Sequence, residues 1–344
     1  MDDTPVKVEV WRGLYQAAAD FRKAGCWDRM SDADLFGVKD PASGEIGYSC
    51  VMGNAGEHFG LGVYNGTDGL ERIMRMQSGD IPSNPIDRLL LQNCIMASFE
   101  DRSFLHKEDM RVVTELGLKF RGPNAWPLFR SYRPGFCPWY LTGEEAAFLT
   151  LALRQTVDIS RRFGKDPAML EPKDPASNLF LVRVAERDGD GLKWRDEWLE
   201  PAEPRITKNA PEHVDPGRLD MIARRNLRLD GTWEIGSFHA PTPVKEGKDR
   251  PFFPLMTLFL IRDSGFIVKF QMEKAPGLRP RYSEQFMELS KTLDSLPRKI
   301  VVGNESTLES LEPVASKLGI RLEVGELVAL EEARTSMAGH LRRR

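Results

Sequence analysis

Apolar residues recur at three- and four-residue intervals over 8–23, where Trp11, Leu14, Tyr15, Ala18 and Phe21 share one side and Gly25 follows. That spacing predicts an amphipathic helix. The pattern then changes to short apolar runs at 35–38, 46–52 and 59–64, the first two separated by the turn Asp40-Pro41-Ala42-Ser43-Gly44. Such runs bounded by turn residues predict a small antiparallel sheet. A helix is expected over 66–76 and a further strand over 96–99. The stretch 125–140 packs Trp126, Phe129, Tyr132, Phe136, Trp139 and Tyr140 among prolines and arginines, and reads as an irregular loop that caps a core with aromatic rings. The helix over 143–163 is the most sharply written. Thr142 and Glu145 form a capping box, Phe148, Ala152, Gln155, Ile159 and Phe163 follow one stripe, and Gly164 closes it.

The charged, proline-containing stretch 165–177 reads as a linker. Runs at 179–185 and 192–199 have the pattern of a hairpin across Asp188-Gly189-Asp190-Gly191, assignable to either side of it. A short basic helix follows over 217–228, with arginines at 218, 224, 225 and 228. Three strand-like runs come next, at 232–238, 253–262 and 266–273, the last two joined by the hairpin signal Asp263-Ser264-Gly265. Then come a helix at 282–293, a strand at 299–302, a helix at 306–318, a strand at 320–324 and a helix at 327–341. Pro313 lies inside the second of these helices and predicts a break or kink. The resulting division is an α+β domain over 1–165, a linker with a hairpin over 166–215, and an α/β domain over 216–344 with the element order βββαβαβα.

Composition narrows the class. A chain of 344 residues is long enough for two domains with proper cores, and 41% hydrophobic with 29% charged residues is the make-up of a soluble globular protein. The longest apolar run, 252–261, is about half the roughly 20 residues that a membrane helix needs. The acidic start without an apolar segment predicts no secretory signal and a cytoplasmic setting. Four well-separated cysteines, Cys26, Cys50, Cys94 and Cys137, form no C-x-x-C pair and read as reduced thiols. A formal net charge of −3 argues against a non-specific grip on phosphate backbones.

Candidate chemistry is sparse. The glycines from Gly53 to Gly62 lack the G-K-S/T of a Walker loop and the helix that a dinucleotide loop opens, so they read as turn and bulge glycines. Glu57 and His58 within them are the one hint of a small-molecule site in the first domain. The five histidines never fall at H-x-x-x-H or beside a cysteine. His239 is the one histidine near the first strand of the second domain, a general-base candidate set against an ordinary surface ring. Arg130 and Arg133 among the aromatics have the pattern of a base-stacking surface, as the arginines of 217–228 have of a nucleic-acid contact. A solvated helix face is the favoured reading of the latter. The basic end Leu341-Arg342-Arg343-Arg344 is a place for an acidic protein or nucleic acid to be steered.

The order over 232–341 resembles the ribonuclease-H-like fold, and in particular its integrase and transposase cores. The resemblance rests on Trp233-Glu234-Ile235-Gly236 in the first strand, on the turn Arg262-Asp263-Ser264-Gly265-Phe266-Ile267, and on Pro297 followed by Val302-Gly303-Asn304-Glu305. It implies catalytic aspartates at the positions held here by Gly236 and Gly303. Such aspartates hold two metal ions about 3.5 to 4 Å apart, and glycine has no side chain with which to do so. Glu331 and Glu332 on the last helix would remain as an incomplete set. Glu234 shares a face with Gly236, and Glu305 has the same relation to Gly303, but each carboxylate is displaced by about 6 to 7 Å along its strand. Two readings follow. One is a non-catalytic binding or scaffold protein without cofactor, with a protein or nucleic-acid partner. The other is a magnesium- or manganese-dependent phosphodiesterase using Glu234, Asp263, Glu305 and Glu331 or Glu332. If the topology holds, aspartate at 236 and 303 is expected to leave folding intact. The whole chain also resembles a group of uncharacterised bacterial two-domain proteins, through the run Gly60-Leu61-Gly62-Val63-Tyr64 and the segment Arg250-Pro251-Phe252-Phe253-Pro254. That resemblance implies no activity.

Overall fold

The computed structural model describes residues 6–79, 85–174, 176–188, 191–203, 212, 214–247, 249–273 and 280–341. The chain is mixed α and β and forms two compact units, one of Met1–Pro134 with Pro138–Arg205, the other of Gly135–Cys137 with Ile206–Arg344. Among the described residues no helix is long and apolar enough to cross a membrane.

The first unit contains helix α1 (Val8–Ala24), strands β1 (Phe36–Lys39), β2 (Ile46–Met52) and β3 (Gly60–Asn65), helices α2 (Gly66–Ser78) and α3 (Pro85–Leu91), β4 (Cys94–Glu100), α4 (Lys107–Glu115), β5 (Trp126–Tyr132), α5 (Gly143–Phe163), and strands β6 (Phe180–Asp188) and β7 (Gly191–Leu199). One sheet runs in the order β5-β4-β3-β2-β1-β6-β7. Every pairing is antiparallel except β1 with β6. Strand alternation sends Val51, Leu61, Val63, Ile95 and Ala97 to the face shared with α1 and α5, and Tyr48, Cys50, Tyr64 and Cys94 to the face covered by α2. The helix α1 buries Leu14, Tyr15, Ala18 and Phe21, and Gly25 ends it with φ of 58°, a left-handed value natural to glycine. In α5 the capping box forms as written: the Glu145 amide donates to Thr142 Oγ1 (3.2 Å) and the Thr142 amide to Glu145 Oε2 (2.9 Å).

Three features depart from the sequence reading. The aromatic stretch contains a true strand, β5, because Pro127 is tolerated at a sheet edge where no neighbour needs its missing N–H. Helices α3 and α4 are additional. The hairpin β6–β7 is part of the first sheet, held to β1 by Gly37 opposite Val182; Gly189 and Asp190 of its turn lie outside the described residues.

The second unit contains α6 (Pro216–Arg224), β8 (Arg228–Leu229), β9 (Thr232–His239), β10 (Leu255–Ile261), β11 (Ile267–Glu273), α7 (Tyr282–Ser290), β12 (Ser295–Leu296), β13 (Lys299–Val302), α8 (Glu305–Leu318), β14 (Arg321–Val324) and α9 (Val328–Leu341). Its main sheet has the order β11-β10-β9-β13-β14, with β9, β10 and β11 antiparallel and β13 and β14 parallel to β9. One face carries Trp233, Ile235, Phe259, Ile300 and Val302 against α6, α7 and α8. The other carries Phe238, Met256, Leu258 and Leu260 against α9. Helix α8 continues through Pro313 without the expected break. Pro313 and Glu309, whose carbonyl loses its donor, both lie on the exposed side, where water can take the orphaned group.

Candidate functional site

The parallel pairing of Val302 with Ile235 brings Gly303, one residue on, beside Gly236. Glycine is needed at 236 for a reason other than backbone freedom. A Cβ there would stand 2.7 Å from Leu327 Cδ1 and 2.9 Å from Leu330 Cδ1, and a Cβ on Gly303 would stand 3.2 Å from the same Leu327 carbon. Leu327, the residue before α9, therefore occupies the space between the two strand positions where the resemblance places metal-binding aspartates. Leu330 is buried in the cluster beneath it. An aspartate at Gly236 would require these two side-chain tips to move aside.

Glu234 lies on the same face, fully buried. Its Oε2 accepts from the Leu330 amide at 3.0 Å, one of the first N–H groups of α9 and hence without a partner inside the helix. A carboxylate at this end also meets the positive end of the helix dipole. Arg262 Nε approaches Oε1 at 3.4 Å, an ionic contact without hydrogen-bond geometry, and among the described residues that oxygen accepts no hydrogen bond. Glu234 thus joins the middle strand to the start of α9.

The other sequence candidates are dispersed. Asp263 is exposed in the β10–β11 turn, Glu305 opens α8 on the surface, and Glu331 is exposed 3.5 Å from Arg334. Glu332 is exposed on α9. Asn304 caps α8, its Oδ1 accepting from the Thr307 amide at 2.9 Å and the Thr307 hydroxyl at 3.1 Å. Among the described residues no three His, Cys, Asp or Glu side chains are grouped to hold a metal ion. His239, three residues beyond Gly236, is turned by the pleat to the opposite face. On that face Ser237 bonds both Thr257 and Tyr282 at 2.8 Å.

Three of the four arginines read as a basic helix are engaged by their own unit, and two of them, Arg225 and Arg228, lie beyond the end of α6. Arg218 pairs with Glu288 at 3.0 Å, Arg225 donates to the carbonyls of Ser290, Lys291 and Leu293, and Arg228 pairs with Asp230 at 2.7 Å. Arg342, Arg343 and Arg344 lie outside the described residues.

In the first unit the Gly-rich loop keeps Glu57 and His58 exposed, with His58 at a left-handed φ of 51°. A polar network unread in the sequence lies elsewhere. Arg130 donates two bonds to Asp109 (2.9 and 2.7 Å) and its guanidinium sits 4.9 Å from the centre of the Tyr140 ring. The Tyr140 hydroxyl donates to Glu108 Oε2 at 2.9 Å and lies 3.3 Å from His106 Nδ1. Burial, reinforced by the bond to Glu108, raises the Tyr140 pKa, so the phenol keeps its proton and acts as a donor. Glu108 is held below the usual carboxylate range by a backbone hydrogen bond first and by Tyr140 second. Arg130 is buried and committed to Asp109, whereas Arg133 pairs with Glu145 at 3.0 Å and keeps part of its side chain exposed. The network spans residues 106–140 and has no signature in local spacing.

Residues 11–183 match the family described as Domain of unknown function (DUF7309), half of the chain. The chain belongs to the DUF7309 family. Residues 220–338 match a second, Domain of unknown function (DUF6930), which takes in the five-stranded sheet and reaches into α9. No curated protein matches the chain. The DUF7309 match ends within β6, whereas the sheet to which it corresponds continues through β7. Both Gly236 and Leu327 fall within the DUF6930 match, so the leucine-filled position belongs to that domain.

Proposed function

We propose that the second unit is a ribonuclease-H-like domain without metal-dependent phosphodiester chemistry, and that the protein is a non-catalytic binding or scaffold protein for a protein or nucleic-acid partner. The fold reading is supported by an antiparallel meander of β9, β10 and β11, by β13 and β14 added in parallel beside β9, and by α7, α8 and α9 following the third, fourth and fifth strands. The observation that carries the functional reading is Leu327. Two-metal catalysis needs converging carboxylates around an open site. Here an aliphatic side chain lies in that space, and Glu234, the carboxylate two residues along the same strand face, accepts from the start of α9. The phosphodiesterase reading would require Glu234, Asp263, Glu305 and Glu331 to converge, and they occupy a buried strand, a turn and the starts of two helices. Four free thiols support a reducing compartment such as the bacterial cytoplasm.

The test is cleavage of labelled DNA and RNA oligonucleotides by the full chain with magnesium or manganese, beside the Glu234→Gln variant. Equal, background-level cleavage by both is expected. Metal-dependent cleavage that disappears in Glu234→Gln would sink the reading.

A further inference from the structure

Strand β11 is an edge of the five-stranded sheet and, among the described residues, pairs with β10 alone. Edge strands present unpaired N–H and C=O groups, and proteins that stay single commonly shorten or charge them. The opposite edge does both: β14 has four residues and carries Arg321 and Glu323, 3.5 Å apart. By contrast β11 has seven residues and leaves Phe270 48% and Met272 40% exposed. Both point to the α9 side, since Phe270 lies opposite Leu258 and Met272 opposite Met256. Helix α9 packs on β9 and β10, and a cavity of about 420 Å³ opens beside β11 between Met256, Met272 and Met337.

We propose that β11 pairs antiparallel with β11 of a second copy of the chain, joining two sheets across a two-fold axis. The charges of the strand choose the register. With Gln271 opposite its own counterpart, Lys269 of each copy faces Glu273 of the other, while Phe270 faces Met272 on the opposite side of the sheet. Opposite charges and apolar pairs directly across a ladder each stabilise it, and here each kind keeps to its own face. The row Met256, Met272, Phe270, Leu258 then runs unbroken through both copies. Centring the pair on Phe270 instead sets Lys269 against Gln271 and Ile267 against Glu273, and both charge pairs are lost. An isologous contact of this kind closes at two copies, so it gives a dimer and no filament.

Sedimentation velocity of the full chain over a range of concentrations tests the pairing. The wild-type chain is expected to dimerise. Lys269→Glu and Glu273→Lys should each raise the dimer dissociation constant about tenfold or more, because each sets like charges opposite one another twice. The double variant should restore the dimer, and an equimolar mixture of the two single variants should form it as a heterodimer. Circular dichroism checks that the variants stay folded. Independently, Gln271→Cys should give a covalent dimer on mild oxidation. A chain that stays monomeric, whether or not another protein takes this edge, overturns the proposal. So does a dimer indifferent to the charge reversals, or one that Gln271→Cys does not cross-link.

Discussion

The Cδ1 atom of Leu327 stands 2.7 Å from where a Cβ on Gly236 would be, so the leucine tip lies directly over the bare strand position. This contact is the observation on which the proposal of a packed site rests. Gly236→Ala should cost about 1 kcal/mol and Gly236→Asp about 3 kcal/mol or more, the larger figure reflecting a carboxylate placed among leucines. Adding Leu327→Ala to Gly236→Asp should return part of the loss. Urea denaturation of the wild type, these three variants and Leu327→Ala alone measures both the costs and the coupling.

The bond from the Leu330 amide to Glu234 gives a second prediction. Glu234→Ala leaves that amide without its acceptor and Arg262 without its counter-charge, and should cost about 2–4 kcal/mol. Glu234→Gln keeps an acceptor and should cost less. Hydrogen exchange at Leu330 should accelerate in Glu234→Ala, which locates the effect at the start of α9.

Much of this arrangement is legible in the chain, and the part that is not has a common cause. The capping box of Thr142 and Glu145, the end of α1 at Gly25 and the succession of strands and helices along the second unit depend on neighbours within a few residues. Glu234 is placed correctly on the face of Gly236 by a period of two, yet its partner is an amide 96 residues away. Leu327 reads as an ordinary first helical residue until the pairing of Val302 with Ile235 shows what lies beneath it. Strand β5 was obscured by Pro127 and Arg130, and Arg130 is buried only because Asp109 comes from 21 residues earlier.

Acid should weaken the first unit through Asp196. Hydrogen bonds from Arg162 first, and from Arg183 against the cost of burial, hold its carboxyl below the ordinary value of 3.8. A depressed folded pKa contributes stability above the unfolded value, and that contribution is lost as pH falls through the folded one. The stability difference between wild type and Asp196→Asn should be constant above about pH 5 and vanish in strong acid. Partial exposure limits it to about 1 kcal/mol. Denaturation at a series of pH values measures this directly.

Thiol reactivity should be low in the folded protein. Cys26, Cys50 and Cys94 are buried, and burial raises the Cys50 thiol to about 12. The thiolate is the reactive form. With a chromogenic disulfide reagent at neutral pH, no more than one of the four thiols should react before unfolding, and all four after it.

The packed cleft stands or falls on whether metal enters it. Crystals of the full chain soaked in manganese, with diffraction recorded near the manganese absorption edge, should show no anomalous peak between β9 and β13, with Leu327 in place over Gly236 and Gly303. A strong peak there within bonding distance of a Glu234 oxygen, with Leu327 displaced, would contradict the packed cleft and restore the metal-dependent reading.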